Sequence, residues 1–403
     1  MKISEFLKLA GFNFLIRIFE WVVPKDPHLW LIGMDDGGGV RLSGNSWYLL
    51  NFLKQNEDHV RVVAVTSFAE VEQQLKNLEV ETVRPNTWKA FWLGLRGQVY
   101  FICGELHDEI PNFSKRNSIK VHLWHGVPLK KIFYGSPKMM ERYNQRSVKM
   151  RILEWFRGRV ELEEYDAIIY TSEGFKQIMM EAFNNPRLYL TGQPRDDAFY
   201  FVDQRDEILK ELGLEEFKDH KIVGYLPTFR DSLDKRLNYK IFHKNPEAQE
   251  SLAEQKIVVL QKDHNSILKE RLSENAVVHL TNDVETQKLL KISDVLITDY
   301  SSVYIDFLHL QRPVIFYCYD LEKYTSQDRE LYFDYFEDRI TPGVKVKDEK
   351  SLLEAIEMAI KDPDHYGETR KSSLGFFHQH QDGENSRRVV QMAKQLIQER
   401  RPH

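Results

Sequence analysis

Cysteine is scarce in this chain. Its 403 residues hold two, Cys103 and Cys318, each inside an apolar run. No disulfide framework beyond one bridge is possible, and buried thiols in a reducing compartment are expected. Long apolar runs are absent too: none approaches the roughly 18 residues that a membrane-spanning helix needs. The N-terminal apolar stretch has only Lys2 ahead of it, is interrupted by Glu5 and Lys8, and leads to no small-residue cleavage site, so a cleavable signal is not expected. Charge of one sign is missing overall, since 56 Lys and Arg face 61 Asp and Glu for a net −5, which leaves no overall signature of a nucleic-acid binder. No Walker-type phosphate loop occurs. GMDDGGGV (33–40) lacks the lysine, and Gly37 to Gly39 read as a turn after the first strand. The histidines are scattered and the two cysteines have no partner at ligand spacing, so neither a metal nor another cofactor is expected.

What is present is alternation. Short β-branched or apolar runs recur at 29–33, 61–65, 99–103, 121–125, 167–171 and 188–192, then at 221–228, 256–262, 276–280, 295–300 and 314–319, and helical patterns separate most of them. Fully apolar strands alternating with helices imply parallel sheets covered on both faces. Five or six strands per half predict an α/β protein of two doubly wound, Rossmann-like domains, 1–200 and 201–403, with the boundary in the polar stretch 196–220. Open parallel sheets take ligands at the carboxyl ends of their strands, so the cleft between two such sheets is the expected site.

Charge is concentrated locally. Residues 115–159 hold twelve Lys and Arg against Glu141 and Glu154, so this window carries +10 and the rest of the chain −15. Met139, Met140, Tyr143, Met150, Trp155 and Phe156 are threaded through it. Basic residues mixed with aromatics and methionines at helical spacing suit an interfacial helix on anionic lipid, and a solvated helix pair covering its own sheet is the alternative. The first 23 residues also follow helical spacing (Ile3, Phe6, Leu7, Ala10, Phe14, Ile18), but bulky residues off that face leave two readings open, a docked helix or a membrane-dipping one. Pro24 stops the helix.

Several residues carry chemistry at strand ends. VHLWHGVPLKKI (121–132) places His125 after a strand, followed by Gly126, which permits close approach, and by Lys130 and Lys131. His122, three residues earlier, points to the opposite side and reads as structural. In ITDYSSVYIDF a strand ends at Thr298 and Asp299, and a helix opens with Ser301 and Ser302, where free N–H groups and the helix dipole suit an anion. Asp299 fixes the turn or contacts hydroxyls; Asp306 reads as structural. Lys262 and His264 follow another strand and can neutralise a phosphate. Arg230 suits bidentate phosphate contact with Asp231 orienting it, or else forms a surface ion pair. Arg387, next to Arg388 after DGENS, is a comparable candidate at a helix start.

Together these segments resemble the CDP-glycerol glycerophosphotransferase family, whose members build teichoic acids and related capsular polymers. HGVPLK (125–130) is similar to its HG-x-P-LK signature. TGQPRDD (191–197), GYLPTFRD (224–231), LQKDHN (260–265, with Asn265 in place of the usual proline), DVLITDYSSVYIDF (294–307), RELYFDY (329–335) and DGENSRRV (382–389) follow in the family's order. Before residue 110 only SGNSWYLL (43–50) looks similar. The resemblance implies a GT-B-like architecture and transfer of glycerol phosphate from CDP-glycerol to a hydroxyl of a lipid-linked saccharide or poly(glycerol phosphate) acceptor, with release of CMP. It implies His125 as general base and His264 as a second catalytic group. Arg230, Lys262, Thr298, Asp299, Ser301, Ser302 and Arg387 then hold the donor phosphates, and Gly126, Lys130 and Asp231 position the acceptor. A peripheral place on the cytoplasmic face of an anionic membrane follows, with no nucleic acid, and the oligomeric state is left open. Ribitol phosphate transfer, a nucleotide-sugar glycosyltransferase and a non-catalytic polymer-binding protein are the alternatives.

Overall fold

The computed structural model describes residues 3–34, 41–156, 161–202, 205–228, 240–262, 271–321 and 330–400. Arg230, Asp231, His264 and the turn Gly37–Gly39 lie outside the described residues. The chain divides into two compact units. The first comprises Met1–His125, Ile132–Ala198 and Asp382–His403; the second comprises Gly126–Lys131 and Phe199–Gln381.

The first unit holds a seven-stranded, all-parallel sheet. Its strands are β1 (Asp26–Gly33), β2 (Arg61–Val65), β3 (Thr82–Val83), β4 (Gly97–Ile102), β5 (Ile119–His122), β6 (Ala167–Tyr170) and β7 (Leu188–Leu190), in the order β3-β2-β1-β4-β5-β6-β7. The chain winds outward in one direction from β1 and in the other from β4, so the switch of direction falls between these two neighbours. The second unit repeats the plan with β8 (Lys221–Tyr225), β9 (Ile257–Gln261), β10 (Leu272–Glu274), β11 (Val277–His279), β12 (Val295–Thr298), β13 (Val314–Tyr317) and β14 (Val344–Val346). Their order is β10-β11-β9-β8-β12-β13-β14, the switch lies between β8 and β12, and β10 alone pairs antiparallel. Two doubly wound sheets are what the alternation implied. The short edge strands β3, β10 and β14 left no readable run.

A single cut near residue 200 does not describe the division. The last helix, Asn385–Arg400, belongs to the first unit, because its apolar face completes that unit's core. Val389, Val390, Ala393 and Ile397 pack with Leu49, Leu53, Val99 and Phe101. Its start is tied down as well. The buried Asp197 carboxylate accepts hydrogen bonds from the backbone N–H groups of Asn385 and Ser386, both at 2.8 Å, and so satisfies two donors that a helix start leaves open. Gly192, at φ 74°, is pressed against Asn385; a Cβ there would lie 2.3 Å from its Oδ1. The GQPRDD segment is therefore, in part, the socket of the last helix.

The first helix, Ile3–Phe19, is docked on one side only. Phe12 and Ile16 are buried against Phe91 and Leu95, and Phe12 meets Trp88 edge-on at 4.9 Å. Leu7, Phe14, Ile18, Trp21 and Val22 stay exposed. No helix among the described residues is long and apolar enough to cross a membrane.

Asp197→Ala should lower the stability of the first unit by about 1–2 kcal/mol, the usual cost of a lost helix cap, and a shift in the midpoint of denaturant unfolding measures it.

Candidate active site

In the first unit the carboxyl end of β5 carries the candidate base. The strand stops at His122, so the run 121–125 is not strand throughout, and the opposite facing of the two histidines does not come from strand alternation. It comes from Trp124, whose φ of 53° lies in the left-handed region that a bulky residue adopts only when its surroundings impose it. Three contacts impose it. The Trp124 N–H donates to His122 Nδ1 at 3.1 Å, and the Asn45 side-chain amide donates to the carbonyls of Leu123 (3.2 Å) and Trp124 (2.8 Å). Asn45 is fully buried at the start of the helix Gly44–Asn56, and its Oδ1 accepts from the Arg195 N–H at 3.1 Å. Arg195 in turn donates from Nη1 to the His125 carbonyl at 2.7 Å.

The two histidines end in opposite states. His122 is buried among Tyr165, Phe183 and Trp124. Burial, seconded by His125, pushes its pKa down to about 3, against a weaker opposing hydrogen bond with the Gly104 backbone. Because His122 Nδ1 accepts from an N–H, its proton sits on Nε2. His125 is exposed, with its ring tilted at 31° against Trp124 and 3.9 Å between centroids. Its Nδ1 lies 3.3 Å from the Cys103 carbonyl oxygen just beyond β4. A carbonyl only accepts, so Nδ1 carries the proton and Nε2 is the basic nitrogen.

Gly126 and Lys130 fall in a segment of the second unit. Gly126–Lys131 runs beside residues 330–332, with Lys131 N–H donating to the Glu330 carbonyl (2.8 Å), Tyr332 N–H to that of Leu129 (2.9 Å), and an ion pair between Lys131 and Glu330 at 2.7 Å.

The second unit gathers its candidates on three adjacent strands, β9, β8 and β12. Lys262 is buried after β9, and its N–H donates to the Tyr225 carbonyl at 2.9 Å. Asp299 is fully buried after β12, and its Oδ1 accepts from the Thr228 N–H (2.8 Å), the Thr228 hydroxyl (2.5 Å) and the Tyr300 N–H (2.6 Å). Thr298 donates from its hydroxyl to the Leu226 carbonyl at 2.8 Å. Thr298 and Asp299 therefore lock the ends of β8 and β12 together at the switch point, where open parallel sheets take their ligands. Ser301 and Ser302 follow, half-buried, and the helix itself opens only at Val303, whose N–H donates to Ser301 Oγ at 3.3 Å. Asp306 is buried and accepts from Gln287 at 3.2 Å, a packing role.

Arg387 is the remaining phosphate-binding candidate. It lies in the first unit, exposed, ion-paired with Glu384 and 5.7 Å from the Phe52 ring, on a helix whose first N–H groups are already taken by Asp197. The residues that sequence reasoning passed over are Asn45, Thr228 and Arg195, all inside segments it had singled out.

The basic window is only partly free charge. Lys120 forms a buried ion pair with Asp166 at 2.9 Å, Lys115 pairs with Glu164, and Arg146 pairs with Glu154 at 2.8 Å while lying over the Tyr143 ring at 3.5 Å. The helices Pro137–Asn144 and Val148–Phe156 have no buried residue. Val148, Met150, Ile152 and Trp155 are exposed on the second, whose Phe156 carbonyl accepts from Asn13 of the first helix at 3.1 Å. A cavity of about 340 Å³ lies beside the helix Pro137–Asn144, lined by apolar side chains such as Phe133, Met139, Met140 and Met150, by Arg142 and Arg146, and by the acids Glu105 and Glu161.

Comparison with known proteins adds the following. The family model for CDP-glycerol:poly(glycerophosphate) glycerophosphotransferase matches residues 16–394. A teichoic acid poly(glycerol phosphate) polymerase of Bacillus spizizenii is 26% identical over 363 residues, covering 85% of this chain and 88% of that one. A teichoic acid glycerol-phosphate transferase of Staphylococcus aureus is 26% identical over 378 residues, covering 92% and 94%. In structure the chain is similar to the wall teichoic acid polymerase TagF, with a TM-score of 0.77 at 22% identity and full coverage of both chains.

His122 gives a test by pH. It releases its proton near pH 3 in the folded chain, against about 6.5 in an unfolded one, so between these values the unfolded state binds the extra proton and stability falls as the pH falls. Asp197, held up to about 6 mainly by burial, acts in the opposite direction below that pH. His122→Asn should therefore lose less stability than the parent chain between pH 6.5 and 4, as read from thermal melts across that range.

Proposed function

The chain belongs to the CDP-glycerol:poly(glycerophosphate) glycerophosphotransferase family, and from that premise we propose that it transfers glycerol phosphate from CDP-glycerol to a hydroxyl of a lipid-linked acceptor or growing polymer. The observation that carries the reading is His125, exposed at the carboxyl edge of the first sheet with Nδ1 held by a carbonyl and Nε2 left basic. Nε2 takes the proton of the acceptor hydroxyl as that oxygen bonds to the β-phosphorus. The bond from this phosphorus to the bridging oxygen breaks, and CMP leaves with the electron pair. A neutral imidazole with a fixed tautomer suits this step, and such general-base help is typically worth about 10²–10⁴-fold. The second unit holds the donor: Ser301 and Ser302 offer hydroxyls beside the Thr228–Asp299 lock, Lys262 supplies positive charge after β9, and Arg230 and His264 keep their proposed parts in charge stabilisation. Gly126 and Lys130 admit and hold the acceptor, with Asp231 orienting Arg230.

Incubation with CDP-glycerol and a lipid-linked acceptor should release CMP. His125→Ala should cut turnover by at least about 10²-fold with little change in binding of CDP-glycerol. Release of CMP from CDP-ribitol but not from CDP-glycerol would replace the donor, and near-normal turnover of the variant would remove His125 as the base.

The same reading places the enzyme on the cytoplasmic face of an anionic membrane. Its support is the exposed apolar row of Val148, Ile152 and Trp155, with exposed Lys138, Arg142, Lys149 and Arg151 on the same helix pair, because basic residues at an anionic surface contribute roughly 1 kcal/mol each. The chain should sediment with anionic vesicles, less with neutral ones, and be partly released by salt. Replacing these four basic residues with Gln should reduce binding to anionic vesicles. No binding to either kind of vesicle would make the basic window a solvated face, and equal binding to both would leave its charge to serve the phosphate-rich polymer instead.

A further inference from the structure

Glu109 is a buried carboxylate, 5% exposed, in the short helix Leu106–Glu109 that follows β4. Its two oxygens accept hydrogen bonds from consecutive backbone groups at the end of that strand, Cys103 N–H at 3.3 Å and Gly104 N–H. The structure is built around it: a Cβ at Gly33, the last residue of β1, would lie 2.3 Å from Glu109 Oε2. The carboxylate thus sits beneath the switch between β1 and β4. The N–H of Gly104 and the carbonyl of Cys103 are two ends of one peptide group, and that carbonyl accepts from His125 Nδ1 at 3.3 Å. The order is carboxylate, peptide, imidazole.

We propose that Glu109 is a positioning residue for His125, acting through the Cys103–Gly104 peptide. A carboxylate that accepts from a peptide N–H polarises the group and makes its carbonyl a stronger acceptor. That holds the proton of His125 on Nδ1, keeps Nε2 basic, and stabilises the imidazolium that forms when Nε2 takes the acceptor's proton. The effect resembles that of a carboxylate bound directly to a catalytic imidazole, with one peptide interposed. The proposal rests on His125 being the base.

Other groups stand near this arrangement. His122 lies on β5 beside His125, and Arg195 donates to the His125 carbonyl at 2.7 Å. The Cys103 thiol contacts the Ser46 hydroxyl at 3.3 Å. Glu105 and Asp108 flank Glu109 in sequence, and the Tyr165 hydroxyl accepts from Leu106 N–H.

The test is the pH dependence of kcat/KM for the full chain, its Glu109→Gln variant and its His125→Asn variant, with CDP-glycerol and acceptor. Glu109→Gln should keep the KM for CDP-glycerol, lower kcat, and move the acid limb down by about 0.5–1 unit, less than a charge in direct contact would give. An unmoved acid limb with unchanged kcat overturns the proposal. Full activity of His125→Asn instead overturns the choice of base, whatever Glu109 does. Should Glu109→Gln fail to fold, nitrogen NMR of the parent chain decides: the Nδ1–H tautomer of His125 supports the proposal, and the Nε2–H tautomer overturns it.

Discussion

The first unit depends on one side chain reaching across three stretches of chain. The amide of Asn45 donates to two successive carbonyls beyond β5 and accepts the N–H of Arg195. Buried backbone groups must find partners, and at the carboxyl edge of a parallel sheet no further strand supplies them. Asn45 fills that need where the chain turns through a left-handed tryptophan. With both flanking peptides fixed, His125 has a defined direction even though its ring is exposed. The second unit meets the same need with a carboxylate. Asp299 gathers Thr228 and Tyr300 and so closes the ends of β8 and β12 over the switch point. Each sheet presents a rigid lip rather than frayed strand ends, which suits chemistry that relies on positioning.

Polar residues inside each unit therefore serve two purposes. Some, such as Asp197 and Asp306, hold helices in place; others hold the strand ends. The exposed groups near them contribute by direction more than by unusual burial. The contrast between His122 and His125 shows this. Three residues apart, one is buried and kept neutral, and the other is turned outward with its tautomer set by a carbonyl.

The strand-helix alternation was legible because parallel strands buried on both faces are apolar throughout. The edge strands were not: β3 has two residues, and Leu272 and Ser273 of β10 are exposed, so neither shows a run. The position of His125 could be read from its motif, but not the means of holding it, because Asn45 and Glu109 bind backbone atoms and any residue could have supplied those carbonyls and N–H groups. The charge count of the basic window was right and its distribution invisible, since Lys120 and Lys115 pair with acids more than forty residues away. The DGENSRRV motif marked the start of the last helix without saying which sheet that helix would cover.

The return of that helix sets an order of events during synthesis. Residues 199–381 complete the second unit's share of the chain before Val389, Val390 and Ile397 leave the ribosome. Until that helix is made the first sheet lacks the cover that Val389, Val390 and Ile397 give it, so the first unit is completed only after the segment of the second that interrupts it.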